Sequence, residues 1–221
     1  MTEPDTPPLL LPLGDSGLLV RFGTSLSEAA NRRAVAFARR LRAQLPAGVV
    51  EIDPNLVSVL LRYEPRHIDF ERLAGEVRLL LAAPPAGDGP EPRRWTIPVR
   101  FGGAAGPDLA EVAAALSLGE DEFISRHNAL PLRVLTTGFA PGFVYCGFHP
   151  QRLRLPRRPA VRPPVPAGSV LFAAGQTAIA ATPIPTGWHV IGITDFRNFD
   201  PAADPPTQLR EGDFVSFEKA L

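Results

Sequence analysis

The stretch GSVLFAAGQTAIAA, residues 168–181, holds two short apolar runs, Gly168–Ala173 and Ala178–Ala181, set apart by a glycine-containing segment. Runs of this length bounded by turn residues read as β-strands. The same texture extends outward to Arg133–Phe139, Trp188–Thr194 and Asp213–Glu218, with Gly and Pro between the runs. Much of the proline, 26 residues in all, falls after residue 140. Short strands at this spacing predict a barrel or sandwich rather than βαβ units.

Upstream the pattern changes. Trp95–Phe101 reads as a strand. Gly106-Pro107-Asp108 starts a helix with Leu109, Val112, Ala113 and Leu116 on its buried stripe, and a second short helix after Gly119 carries Phe123, Ile124 and His127. Residues 84–93 lack periodicity and are rich in Pro, Gly and Ala, which predicts a linker. Before it, Leu9–Leu13 and Leu18–Phe22 read as strands around the Gly14–Gly17 turn. Val49–Ile52 and Leu56–Tyr63 read as strands around Asp53-Pro54-Asn55. Ser25–Glu28 has the spacing of a capping box. The helix after it places Ala30, Ala34, Phe37, Ala38, Leu41 and Leu45 on one face and ends at Pro46 and Gly48, while Phe70, Leu73, Val77, Leu80 and Leu81 mark a second helix. The expected organisation is a small α+β domain over residues 1–83, a linker at 84–93 and a mostly-β domain over 94–221.

Bulk composition narrows the function. Of the 221 residues, 23 are basic and 23 acidic, a balance that argues against nucleic acid or an anionic membrane as partner. The single cysteine, Cys146, rules out an intrachain disulfide and reads as a packing residue. The opening MTEPDTPP lacks the basic and apolar segments of a signal peptide, and no run has the length of a membrane span. A cytoplasmic protein is expected.

Four local patterns, and one histidine outside them, are candidates for chemistry. GFAPGFVY (138–145) interleaves Phe139, Phe143 and Tyr145 with glycines and Pro141, and reads either as a pocket wall or as a barrel corner whose rings join the core. Five arginines fall within residues 152–162, among prolines that forbid a helix. They read either as an anion clamp that includes Arg157 and Arg162 or as a solvated basic loop. Ser169, Gln176 and Thr177 offer polar groups for a ligand, or serve turns. Trp188 and His189 open a strand. His127, near a helix C-terminus, is expected to be held protonated more easily than usual, as an acid, base or anion donor, or else to cap the helix. No P-loop, HExxH, GxSxG or metal-spaced Cys/His cluster is present, so no metal is expected.

In this order, Arg126-His127-Asn128, GFAPGFVY, LPRR (155–158), Arg162, VPAGSV (165–170), GQT (175–177), GWHVIGIT (187–194) and the GDFV segment after residue 211 resemble the KipI/PxpB family, also described as allophanate hydrolase subunit 1. GDSGLLVRFG (14–23) and VVEIDPNLVSVLLRY (49–63) extend the resemblance over nearly the whole chain.

The resemblance implies a cyclophilin-like β-barrel for the second domain and a subunit of a heteromeric ATP-dependent amidohydrolase. The leading expectation is 5-oxoprolinase, which converts 5-oxo-L-proline, ATP and water to L-glutamate together with a second cyclophilin-like subunit. ATP would bind through the complex at a site this chain does not reveal. Alternatives within the resemblance are an inhibitor of a sensor histidine kinase and the carboxyltransferase part of urea or related amide metabolism. By resemblance, Arg157 and Arg162 neutralise an anionic substrate group and His127 moves a proton. Gln176 and Thr177 orient the substrate, and Phe139, Pro141, Phe143, Tyr145, Ser169 and Trp188 complete one wall. Leu132, Ala180 and Ile193 depart from the family pattern, which has Tyr, Tyr and Arg in those places; Ala178 and Thr186 stand where it has Gly, and Phe148-His149 where it is usually Gly-, Leu- or Asp-like.

Overall fold

The computed structural model describes residues 7–83 and 91–220. Most of the expected linker at 84–93 lies outside the described residues. Its last residue, Arg93, is not loose chain: its backbone N–H and guanidinium both donate to the Asp213 carboxylate. The chain divides into two compact units, Met1–Glu91 and Pro92–Leu221.

In the first unit, strands β1 (Leu9–Leu13), β2 (Gly17–Arg21), β3 (Val49–Pro54) and β4 (Ser58–Tyr63) form an antiparallel sheet in the order β1-β2-β4-β3. Strand alternation turns Leu18, Val20, Val59, Leu61 and Tyr63 into the core. Each fully buried leucine there contributes about 1.5–3 kcal/mol. Helices α1 (Glu28–Ala43) and α2 (Phe70–Ala82) supply the opposing stripe of Ala34, Phe37, Leu41, Leu73 and Val77. Two expectations shift. The cap of α1 is Ser27, whose hydroxyl accepts from the Ala30 N–H, rather than Ser25, and Glu28 pairs with Arg32. Leu45 lies past the end of α1 and is 57% exposed.

The second unit is built on a closed seven-stranded barrel. Its strands are β5 (Arg94–Phe101), β6 (Leu132–Thr137), β7 (Val144–Gly147), β9 (Ser169–Ala173), β10 (Gln176–Ile179), β12 (His189–Ile193) and β13 (Phe214–Lys219). Around the barrel they run β10-β7-β6-β13-β5-β12-β9, closed by the β9–β10 pair, and only β5 and β13 are parallel among the named pairings. Strand β6 stops at Thr137 because Gly138 and Phe139 both take positive φ, at 124° and 75°. The interior holds Val134, Val144, Cys146, Val170, Phe172, Ile179, Ile191 and Phe217. Helices α3 (Leu109–Ala115) and α4 (Glu120–His127) add Leu109, Val112, Phe123 and Ile124 to the same core.

Three strands were not legible from the sequence: β7 within the GFAPGFVY segment and its flank, and both strands of a ribbon outside the barrel. Arg162–Val165, expected to belong to an extended arginine loop, forms β8 and pairs with β11 (Ile184–Thr186) as a separate ribbon. Val165 and Ile184 of the ribbon share a buried cluster with Leu171, Ala173, Ala178 and Val190 of the barrel strands. This second apolar layer, distinct from the barrel interior, is what positions the candidate site.

Candidate functional site

Residues expected to line one wall fall into three places, and strand geometry is the reason. Adjacent strand residues face opposite sides of a sheet. Thr177 joins the histidines among the barrel's interior groups, whereas its neighbours Gln176 and Ala178 lie on the other face. Ala178 belongs to the layer under the ribbon.

The first place is a row of rings. Phe139 meets Phe143 at 5.7 Å between centroids, Phe143 meets Tyr145 at 4.9 Å, and Tyr145 meets Trp188 at 5.7 Å. The Arg157 guanidinium lies over Trp188 at 5.7 Å, a cation–π contact. Burial raises the Tyr145 pKa, and the positive charge of Arg157 opposes that rise. The row grades from buried Phe143 and Trp188 to Phe139, which is 77% exposed. Pro141 is exposed in the intervening turn. Gln176 is buried beside Gly147, and among the described residues its Nε2 has no hydrogen-bond partner.

The second place is a cleft of about 450 Å³ lined by Ala104, Ala105, Pro107, residues 162–166, Ser169, Val190 and Ile193. Its cation is Arg162, and Asp108 organises it. Asp108 opens α3 but makes no side-chain cap there. Instead one carboxylate oxygen accepts from Arg162 Nη2 at 2.7 Å and Arg158 Nη1 at 3.2 Å, and the other accepts from the Val190 N–H at 2.7 Å. The Asp108 N–H donates back to the Val190 carbonyl. Two guanidinium groups against one buried carboxylate leave an excess positive charge, and Glu111, largely exposed at 3.5 Å from Arg158, offsets it weakly. Ser169 donates its hydroxyl proton to the Pro166 carbonyl at 2.7 Å.

The third place is the barrel interior. His127 is 1% exposed, not at a wet helix end. Its Nδ1 lies 2.7 Å from Asn128 Oδ1, an acceptor, so Nδ1 carries the proton and Nε2 accepts from the Thr177 hydroxyl at 2.8 Å. The Nε2 of His149 also contacts Thr177 Oγ1 at 2.8 Å. With the hydroxyl proton already given to His127, His149 Nε2–H is the donor. The two imidazoles lie 4.7 Å apart, tilted by 34°, with the edge or face of Phe172 against both. Burial lowers the His127 pKa to about 4, against a smaller opposing effect of its bond to Asn128. Burial, together with its neighbour His127, holds His149 well below the usual histidine range. The expectation that the helix end keeps His127 protonated is therefore reversed: desolvation outweighs the helix dipole. Thr177 is fully buried with its hydroxyl committed to the two rings, so it does not share a wall with Gln176.

Thus Phe139, Phe143, Tyr145, Trp188 and Arg157 are brought together, Arg162 and Ser169 meet in the cleft, and His127 and Thr177 lie in the interior. Asp108 and His149 were not among the residues singled out for a site. Of the departures that remove a polar side chain, Leu132 is buried in the barrel core, Ala180 is buried in the layer under the ribbon, and Ile193 lines the cleft. Among the described residues no group of three or more His, Cys, Asp or Glu side chains is arranged to hold a metal ion. No helix among them is long and apolar enough to cross a membrane.

The model of the carboxyltransferase domain, subdomain C and D, matches residues 8–209. The chain belongs to that family. A relative from Bacillus subtilis (strain 168), a 5-oxoprolinase subunit, is 37% identical over 215 residues, covering 93% of this chain and 90% of that protein. The corresponding 5-oxoprolinase subunit of Escherichia coli O157:H7 is also 37% identical, covering 93% of each chain. The solved structure of TTHA0988 superposes with a TM-score of 0.81 at 38% identity, over 93% of this chain. The chain spans only 40% of the TTHA0988 chain. The carboxyltransferase-domain family thus accounts for both units of the chain, since the matched residues run through the α+β unit and through most of the barrel.

Proposed function

We propose that this chain is a subunit of a 5-oxoprolinase-like enzyme: with a second, cyclophilin-like subunit it opens the lactam of 5-oxo-L-proline to L-glutamate, driven by ATP hydrolysis. The observation that carries this reading is the end-to-end likeness to a 5-oxoprolinase subunit, at 37% identity over 90% of the Bacillus subtilis protein. The geometry supports it. The barrel unit carries two apolar surfaces that each end on a guanidinium, Trp188 with Arg157 and the cleft with Arg162. Either suits a small cyclic amide that bears a carboxylate. The neutral, solvent-excluded His127 supports a part in holding the barrel, through Thr177 and His149, rather than the proton transfer expected of it. ATP binding is assigned to the complex, and the working compartment to the cytoplasm.

Co-expression with the second subunit tests the reading. The two chains are expected to co-purify and to release phosphate from ATP only when 5-oxo-L-proline is present. Phosphate release that ignores the lactam would refute it.

A further inference from the structure

Resting on that reading, we propose that the Arg162 cleft, rather than the aromatic row, is where this chain binds the lactam acid. Its specificity is for a small ring that carries one carboxylate and one N–H donor.

Concavity and desolvation separate the two surfaces. On the row, Arg157 and Phe139 are exposed, so an anion there stays in water and gains little from the charge. The cleft is a partly open depression of about 450 Å³, within the size range of small-molecule sites. The Arg162 side chain keeps only 23% of its exposure, and among the described residues its Nε has no hydrogen-bond partner. Asp108 fixes the guanidinium from behind without cancelling the charge, because it is shared with Arg158.

The remaining lining is compatible with the lactam acid of the proposed function. Pro107, Pro163, Pro164 and Pro166 contribute no N–H, and Ser169 has given its proton to Pro166. Arg162 is the one cationic side chain of the lining. The walls otherwise come from the apolar residues Ala104, Ala105, Val165, Val190 and Ile193 and from the prolines, and the Ser169 hydroxyl oxygen, whose proton points to Pro166, keeps lone pairs to accept with. A carboxylate on Arg162, an apolar ring against the prolines and an N–H toward an acceptor satisfy this lining. A neutral lactam leaves Arg162 without its anion, and inorganic phosphate leaves the apolar wall without a partner.

Isothermal titration of the full chain with 5-oxo-L-proline, 2-pyrrolidinone and inorganic phosphate tests the proposal. Saturable binding of 5-oxo-L-proline is expected, weakened about tenfold or more by Arg162→Gln, with the other two probes binding weakly. Arg162→Gln also disturbs the Asp108 cluster, so Ala104→Trp, at an exposed loop position, serves as the second variant. It fills the cleft without touching the core and is expected to weaken binding by at least as much. Arg157→Ala is expected to leave the affinity within about twofold, because its charge is solvent-screened. Absence of saturable binding, phosphate as tight as the lactam acid, or loss of binding in Arg157→Ala but not in Ala104→Trp would each overturn the assignment. Failure of the assignment is distinguishable from failure of the functional reading. If the two-subunit enzyme makes glutamate and Ala104→Trp leaves its KM unchanged, the cleft is wrong and the function stands. If the lactam acid binds as described but the pair makes no glutamate, the function is wrong and the cleft stands.

Discussion

Acid should loosen the barrel in a pH window set by its two interior histidines. His127 has an ordinary pKa of 6.5 in the unfolded chain and about 4 in the fold. Between those values the unfolded state binds a proton that the native state refuses, so stability falls as pH falls. At about 1.4 kcal/mol per unit, the gap from 6.5 to about 4 removes about 3 kcal/mol by pH 4. That is a large share of the roughly 5–15 kcal/mol that holds a typical domain. His149, shifted in the same direction, steepens the loss. Asp213, the buried carboxylate whose pKa is lowered, does not confuse the window. Burial alone would raise it, but Arg93 and its other donors prevail, so its contribution is lost only below the ordinary carboxylate value of 3.8. Both tryptophans, Trp95 and Trp188, lie in the barrel unit, so their fluorescence follows urea unfolding of that unit. Urea midpoints at pH 7, 5.5 and 4.5 should fall steadily. His127→Phe should flatten the slope, whatever it does to stability at pH 7. A wild-type midpoint that is flat across the window, or a slope unchanged by His127→Phe, would refute the neutral-pair assignment.

Other outcomes follow from single contacts. The Cys146 thiol, buried and pushed up to about 12, should resist thiol reagents at pH 8 until the chain unfolds; rapid stoichiometric labelling of native protein would contradict this. Asp213 holds Arg93, Arg210 and the Trp95 indole N–H at the start of β13, and Asp213→Ala should cost about 2–3 kcal/mol in urea melts. A Cβ at Gly106 would sit 2.0 Å from the Ile191 carbonyl oxygen, which no rotamer change relieves. A Cβ at Gly75, inside α2, meets nothing within 4 Å. Gly106→Ala should therefore lower the melting temperature sharply, while Gly75→Ala should be neutral or stabilise by up to about 1 kcal/mol.

Most strands and helices were legible because hydrophobic period and turn residues act locally; β7, β8 and β11, short and rich in Gly or Pro or flanked by them, were not. Leu109, Val112 and Ala113 on α3, and the apolar runs of β9 and β12, are read correctly without knowing their partners. Errors arose where a partner is remote or a face has to be chosen. The GQT segment looked like one polar wall, but Gln176 and Thr177 occupy opposite faces of β10, and the alternation within a strand already forbade their sharing a pocket. His127 looked like a helix-end group because its burial depends on Phe101, Phe172 and Phe217, which come from other strands. His149 stood out only as a departure from the family pattern, without a role, since its partner Thr177 is 28 positions on. Asp108 looked like a helix start, and that much is correct. Its pairing with Arg158 and Arg162, 50 and 54 positions away, follows only from barrel closure and the β8–β11 ribbon.

The central claim, that this chain is a subunit of a 5-oxoprolinase-like enzyme, is tested most directly by measuring L-glutamate formed from 5-oxo-L-proline and ATP. The assay compares this chain alone, the second subunit alone, and the two purified together. Glutamate is expected only from the pair, in step with ATP hydrolysis. A stable pair that hydrolyses no ATP in response to the lactam and forms no glutamate would contradict the account.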